Sequence, residues 1–319
     1  GKPLPRVTTS SLDALKQFAL GHEKLINLNY QDARTHYEHA IRIDSNFTAA
    51  KAALGTLLFE HFNQEQGQRW LEKAILDLDD LTETEKYEIL AFYSAHVEGD
   101  LNKAIQFEKT LIELYPDGSS HHNNLGFFYQ NQGNYDKAIE AYKQAVRIDP
   151  YFLLSYHGIT WIYSTLIGQM DSTFVWAKKM IEHAPDNPWG YMRLGCAYVG
   201  TDSLEKAEQA FLKARELDPN YSLYHYNLAH IYRLMGDHKK AIEVLEDFLE
   251  INPQVTTTHY VLGVLYKLVG EDESSKKHFL RFRKQTEWWI ENAPEYPMSF
   301  TYHGQVLTYL GDTLSGRDF

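Results

Sequence analysis

Apolar residues recur along this chain with the 3.6-residue period of amphipathic helices, and the stripes come in pairs. The clearest pair is the stretch Ser119–Phe152, SSHHNNLGFFYQNQGNYDKAIEAYKQAVRIDPYF. Leu125 and Tyr129 mark the apolar stripe of a first helix, Tyr142 and Ala145 that of a second. Gly133 falls where the first helix must stop, because a Gly just past a helix end takes the left-handed conformation at no steric cost. Asn134 is then a natural N-cap for the second helix. Gly126 and Ala138 are small where larger side chains would hold the helices apart. Pro150 closes the pair, since it lacks an N–H and restricts the residue before it. One such pair cannot bury its own apolar face and needs neighbours on both sides.

Those neighbours are in the sequence. Prolines 116, 150, 185, 219 and 253 are spaced 34, 35, 34 and 34 residues apart, and alanines 104, 138, 207 and 241 keep the same phase. The spacing predicts helix pairs over 14–47, 48–81, 85–118, 119–152, 153–187, 188–221, 222–255 and 256–289. Ser10 with Asp13 three residues on resembles a capping box that starts the first helix. The second pair departs most, with Gly67 in place of an alanine and Phe62 in place of the turn glycine, so its turn is expected to be displaced. Residues 82–84 are extra before the third pair, and the fifth holds one extra residue, assigned to its turn. The last second helix is expected to run on through Trp288 and Trp289. After the break Pro294–Pro297, Ser299–Asp312 looks like one more first helix stopped by Gly311. The division is a linker or cloning remnant at 1–10, an array at 11–290, and a capping helix or truncated ninth repeat at 291–319.

Counted from Ser119, this Leu-Gly at positions 7 and 8, Tyr at 11, Gly at 15, Tyr at 17, Ala at 20, Tyr at 24 and Pro at 32 resembles the tetratricopeptide repeat, TPR. The resemblance covers about Leu12 to Trp289. It implies an all-α fold: a right-handed α-α superhelix, or solenoid, of about eight TPR helix pairs plus a C-terminal helix. It further implies a non-catalytic protein–protein interaction scaffold with a peptide-binding groove lined by first helices, chiefly through repeat positions 2, 5, 9 and 12. Carried over, those positions are Tyr93 and His96, then Asn123, Phe127 and Gln130, then His157, Trp161 and Ser164. Trp189, Met192 and Cys196 follow, then Tyr226, His230 and Arg233, and finally Tyr260 and Lys267. Beside them at position 6 stand Asn124, Arg193 and Asn227. Solvent-facing positions not needed for packing would ordinarily be Lys, Glu or Gln. Aromatics with a few polar groups are instead what a recognition surface uses. The expected ligand is an extended or helical peptide, with Asn123, Asn227 and Arg233 holding its backbone or a carboxylate. The competing reading buries these residues against the next turn. Repeats 3 to 5 lack the Lys and Asn pattern of the TPR clamp for chaperone tails. The tyrosines at position 11, Tyr129, Tyr163, Tyr198, Tyr232 and Tyr266, read as core.

Charge and chemistry narrow the picture. A formal net charge of −12 argues against nucleic acid and anionic membrane surfaces as partners. No run of 18 uninterrupted apolar residues is present, so no membrane insertion is expected. Cys196 is the sole cysteine, which leaves the redox compartment open. There is no phosphate loop, no HExxH and no CxxC. His36 and His39 share a helix face but lack the third ligand that zinc needs. No enzyme activity, cofactor or metal is expected. The opening Pro3–Lys16 resembles a junction in bacterial eukaryotic-like Ser/Thr kinases and related regulators, whose C-terminal regions are TPR arrays. That implies an alternative role as the sensory or docking domain of a signalling protein, although no kinase motif is in the chain. A TPR-bearing glycosyltransferase would need a catalytic domain, and the residues after Trp289 are too few for one. The partner is expected to be a protein or peptide, and a homodimer is compatible with that. The default compartment is cytoplasmic; an extracytoplasmic one stays open for the arm of a membrane-anchored kinase.

Overall fold

The computed structural model describes residues 9–26, 29–292 and 297–311. The expected linker up to residue 8, the first part of the kinase-like junction, most of the Pro294–Pro297 break and the tail from Asp312 lie outside the described residues. All regular structure among the described residues is helical. The chain divides into two compact units, Gly1–Ile159 and Thr160–Phe319. Unit 1 holds the pairs α1 (Leu12–Ile26) with α2 (Tyr30–Ile43), α3 (Thr48–His61) with α4 (Gln64–Ile75), α5 (Glu83–His96) with α6 (Leu101–Leu114), and α7 (Ser119–Asn131) with α8 (Tyr135–Ile148). The boundary falls inside α9 (Leu153–Trp161). Unit 2 continues through a π-helical segment (Ile162–Ile167) to α10 (Met170–His183). There follow α11 (Pro188–Gly200) with α12 (Leu204–Leu217), α13 (Ser222–Leu234) with α14 (His238–Ile251), α15 (Thr257–Leu268) with α16 (Asp272–Asn292), and α17 (Pro297–Leu310).

One packing motif recurs in four of the pairs. The small residue at position 8 of the first helix lies under the ring at position 24 of the second. A Cβ on Gly21 would come within 2.5 Å of the Tyr37 ring, and one on Gly126 within 2.7 Å of Tyr142. Gly195 meets Phe211 at 2.6 Å and Gly263 meets Phe279 at 2.8 Å in the same way. All four rings are buried. Of the position-11 tyrosines read as core, 232 and 266 are buried, whereas 129, 163 and 198 are half-buried. The hydroxyls of Tyr232 and Tyr266 donate to Glu208 (2.7 Å) and Glu246 (2.5 Å), so the polar tip is satisfied where the ring is packed.

Where the sequence departs from its own pattern, the structure absorbs the change in specific ways. The first helix is capped one residue later than expected, by the Ser11 hydroxyl, which accepts from the Ala14 N–H at 3.2 Å. The second pair is not displaced. Its turn is made by Phe62 at φ −131° and the N-cap Asn63, which accepts from the Gln66 N–H at 2.8 Å. Gly67 lets the helices approach very closely, for a Cβ there would stand 2.4 Å from the Phe59 backbone nitrogen. In the third pair Val97, Glu98 and Gly99 separate α5 from its partner's N-cap Asp100, where the fourth pair has only Gln132 and Gly133. The Asp100 N–H reaches back six residues to the Ser94 carbonyl at 2.7 Å. Leu90 and Ala91 therefore take positions 7 and 8, and the register of α5 slides by one. In the fifth pair the extra residue is not in the turn. It is wound into the wider π segment before Gly168, whose φ of 76° makes the ordinary stop.

At the carboxyl end α16 runs 21 residues, through both tryptophans. Trp288 is 54% exposed, while Trp289 meets Phe282 edge-on at 5.9 Å. Helix α17 covers α16 with buried Val306 and Leu307, and Gly311 at φ 81° ends it.

Candidate functional site

In unit 1 the inner faces of α1, α3, α5 and α7 enclose a cavity of about 580 Å³. Helix α3 makes room for it, because it presents only Ala49, Ala52, Ala53 and Thr56 over two turns. Larger groups come from the last turn of α3, with Leu57 and Glu60, and from the flanking helices: Phe18 and His22 from α1, Glu88, Phe92 and His96 from α5, and Asn124 and Phe127 from α7. Helix α6 reaches in with Glu108. Phe127 is 39% exposed, a large ring held open to solvent at the end of the cavity. Phe92 leans on His96 with centroids 4.4 Å apart.

The wall is acidic. Glu60, Glu85, Glu88 and Glu108 line it, and no Lys or Arg among the described residues does. Glu85 is occupied as half of a capping box, its Oε2 accepting from the Thr82 N–H at 2.9 Å. Glu108 is 2% exposed. Its Oε1 accepts from Asn124 Nδ2 at 3.1 Å, and its Oε2 pairs with His121 Nδ1 at 3.3 Å, without hydrogen-bond alignment. That contact with Glu108 holds the His121 imidazole above its ordinary pKa, against the opposing effect of burial. Glu88 touches water, yet the surrounding walls strip most solvent from its neighbourhood. This loss of solvation pushes its pKa up; the Glu108 and Glu85 carboxylates push the same way and His121 opposes them. His22 and His96 are held below the ordinary imidazole value by burial, so neither supplies a balancing charge at neutral pH. His22 Nδ1 is hydrogen-bonded to the Tyr37 hydroxyl at 2.5 Å.

Among the groove residues read from the sequence, His96, Asn124 and Phe127 line this cavity. Tyr93 does not. The extra turn residue after α5 puts Phe92 where Tyr93 was expected. Asn123 accepts from the Ser155 hydroxyl at 2.9 Å and so joins consecutive repeats. His157 and Trp161 on α9 are half-buried. In unit 2, Trp189 is half-buried. Met192 is 3% exposed and lies in the core with Phe211 and Tyr224, so it packs helices instead of facing a groove. Arg193 is buried beside it. Cys196 is partly buried, and loss of solvent raises its thiol pKa, which disfavours a thiolate. Tyr226 bonds Thr258 Oγ1 at 2.8 Å, with half-buried Asn227 beside it. His230 and Arg233 are exposed on the same helix, the guanidinium donating to His230 Nδ1 at 3.2 Å. Tyr260 is locked among Phe282, Tyr302 and Tyr309 and donates to Gln305 at 2.8 Å. Among the described residues no group of three or more His, Cys, Asp or Glu could hold a metal ion. His36 is instead hydrogen-bonded to Gln17 at 2.8 Å. No helix of the described residues is long and apolar enough to cross a membrane.

The sequence reading missed Glu60, Glu88, Phe92 and Glu108. Two of them, Glu88 and Phe92, were hidden by the one-residue slip. Glu108 sits on a second helix, which the positional rule does not consider.

Comparison with known proteins agrees with this architecture. Residues 120–152 match the family described as Tetratricopeptide repeat, and residues 196–262 match Regulator of microtubule dynamics protein 1-3. The Hsp70-Hsp90 organising protein of Plasmodium falciparum is 32% identical over 89 residues, which is 28% of this chain and 35% of that protein. Protein O-mannosyl-transferase TMTC3 of Homo sapiens is 25% identical over 160 residues, 46% of this chain and 18% of that one. The chain thus spans about a third or less of the length of these curated relatives. The crystal structure of yeast Tom70 shares the fold, with a TM-score of 0.68 at 15% identity, over 99% of this chain and 68% of Tom70. Residues 120–152 thus match a tetratricopeptide repeat, and the rest of the chain continues the same all-α series of consecutive helix pairs.

Proposed function

We propose that this chain is a non-catalytic protein–protein interaction scaffold that holds a peptide segment of its partner against the inner helices of unit 1. The observation that carries this reading is the cavity of about 580 Å³ with Phe127 exposed at its edge. Its size falls in the range of about 300–1,000 Å³ typical of binding sites. An exposed ring beside fixed polar groups is the usual anchor of a protein interface. Helix α3 supports the reading, since its run of small residues opens the space when larger side chains would fill it. The organising protein from Plasmodium, by its name, brings other proteins together, which is the same kind of role. In unit 2 the exposed side chains His230 and Arg233, with Tyr226 beside them, form a second contact surface on α13.

The test is affinity capture on the immobilised chain, comparing wild type, Phe127→Ala and the outward-facing control Glu140→Ala. A partner bound through the cavity should be lost at least tenfold with Phe127→Ala, as for a central aromatic anchor worth about 2 kcal/mol, and retained with the control. Thermal melts of all three should coincide, because both residues are exposed. Equal capture by wild type and Phe127→Ala would sink the reading.

A further inference from the structure

We propose that the unit 1 cavity is selective for cationic segments, receiving an arginine side chain of the partner between Phe92, Phe127 and the carboxylates of Glu60, Glu88 and Glu108. This rests on the cavity being a binding surface at all, as proposed above. Three independent features point to a guanidinium. The first is charge: Glu60 and Glu88 line the cavity beside Glu85, held in its capping box, and Glu108, paired with His121, and no Lys or Arg among the described residues lines it. Glu60 and Glu88 are exposed at the cavity wall, where like charges repel across the opening and an incoming cation relieves that repulsion. The Glu88 pKa is raised first by loss of solvation and only then by the Glu108 and Glu85 carboxylates, against the opposing charge of His121.

The second feature is Glu108. It is 2% exposed, it faces the cavity, and its Oε2 has no hydrogen bond. A buried carboxylate oxygen left without a hydrogen bond is costly. Its neighbour His121 faces that oxygen at 3.3 Å and forms an ion pair with it when protonated, a state the contact with Glu108 favours. A guanidinium presents a planar fork of donors that fits carboxylate oxygens at two points, which a lysine ammonium does not. The third feature is the aromatic wall. Phe92 and Phe127 offer ring faces beside the acids. Cations, arginine above all, are drawn to such faces.

The test uses the full chain and fluorescence anisotropy with three labelled, end-capped octapeptides. One alternates arginine with leucine; the others replace each arginine by neutral citrulline or by glutamate. The arginine peptide should bind at least tenfold more tightly than the citrulline peptide, and the glutamate peptide should not bind. The double variant Glu60→Gln/Glu88→Gln should lose at least tenfold for the arginine peptide. Glu113→Gln/Glu182→Gln removes the same charge from exposed sites outside the cavity and should change binding less than twofold. Equal affinity for arginine and citrulline peptides, no binding of any peptide, or an equal loss in both double variants would each overturn the proposal. The first outcome, with both peptides released by Phe127→Ala, leaves the groove standing and removes only its charge preference. Arginine-peptide binding that survives Phe127→Ala unchanged would remove both.

Discussion

At the residue scale, Gly67 shows how a departure from pattern can be structural and not a weakness. Its neighbours are backbone: Phe59 nitrogen at 2.4 Å, Phe59 Cα at 2.6 Å and the Gly55 carbonyl at 2.7 Å from a notional Cβ. No side chain can rotate away to make space, so the helices would have to part. Alanine gains about 1 kcal/mol of helix propensity over glycine. Overpacking against rigid backbone outweighs that, and Gly67→Ala should cost a net of about 1–3 kcal/mol. Urea denaturation should show a lower midpoint for the variant; an unchanged or raised midpoint would contradict the packing account. The position-8 glycines differ, because they meet rings that are themselves legible as position 24. Their roles were readable from spacing alone. That of Gly67 was not, since it depends on how close two helices run.

Helices carry the next set of consequences. The α5 capping box, with Thr82 and Glu85 bonding reciprocally, fixes where that helix begins. Thr82→Ala should cost about 1 kcal/mol in thermal stability, and because Glu85 then loses its partner, the variant also tests whether the acidic wall depends on this cap. Helices α15 and α16 are joined by a buried pair, His259 Nδ1 to His278 Nδ1 at 2.9 Å. One nitrogen must donate and the other accept. Burial first, then neighbouring positive charge from Lys277 and Arg281, holds both imidazoles down to about 4. In the unfolded chain they would titrate near 6.5, so the unfolded state binds protons first as pH falls. Stability from this pair is therefore complete above about pH 6.5 and is lost as pH drops toward 4. The melting temperature should fall between pH 7 and pH 5, and His278→Gln should flatten that fall. A pH-independent melt in wild type would refute the assignment. Element existence was legible from periodicity throughout. Extra residues were visible as counts before the third pair and within the fifth, but it was not visible that one is taken up in the turn after α5 and another in the π segment at 162–167.

At the scale of the whole molecule, a solenoid has no closed core, and its last pair must be covered. Helix α17 does this for α16: Val306 and Leu307 are buried, and the Tyr309 ring stacks on Phe279 at 4.5 Å. Ending the chain at Asn292 would re-expose these contacts, at about 1.5–3 kcal/mol for each large apolar side chain. The truncated protein should melt earlier and self-associate in size-exclusion chromatography; a monomer with an unchanged melt would show that α17 is dispensable.

Although the cap of α1 moved to Ser11 and Asn134 makes no side-chain cap, the sequence by itself determined the helix pairs, most of their glycine stops and the ring-on-small packing of four pairs. These are local properties that repeat with the chain's own period. The tertiary structure decided which residues share a cavity. Phe127 could be named in advance because its repeat is regular. Phe92 and Glu88 could not, since one extra turn residue rotates α5 by about 100°, and Glu108 could not, since it enters from a second helix. Met192 followed the groove rule in sequence and went to the core in space. Position along a helix is counted in residues, whereas facing a cavity is an angle. A slip of one residue changes the angle while leaving the amphipathic pattern nearly intact.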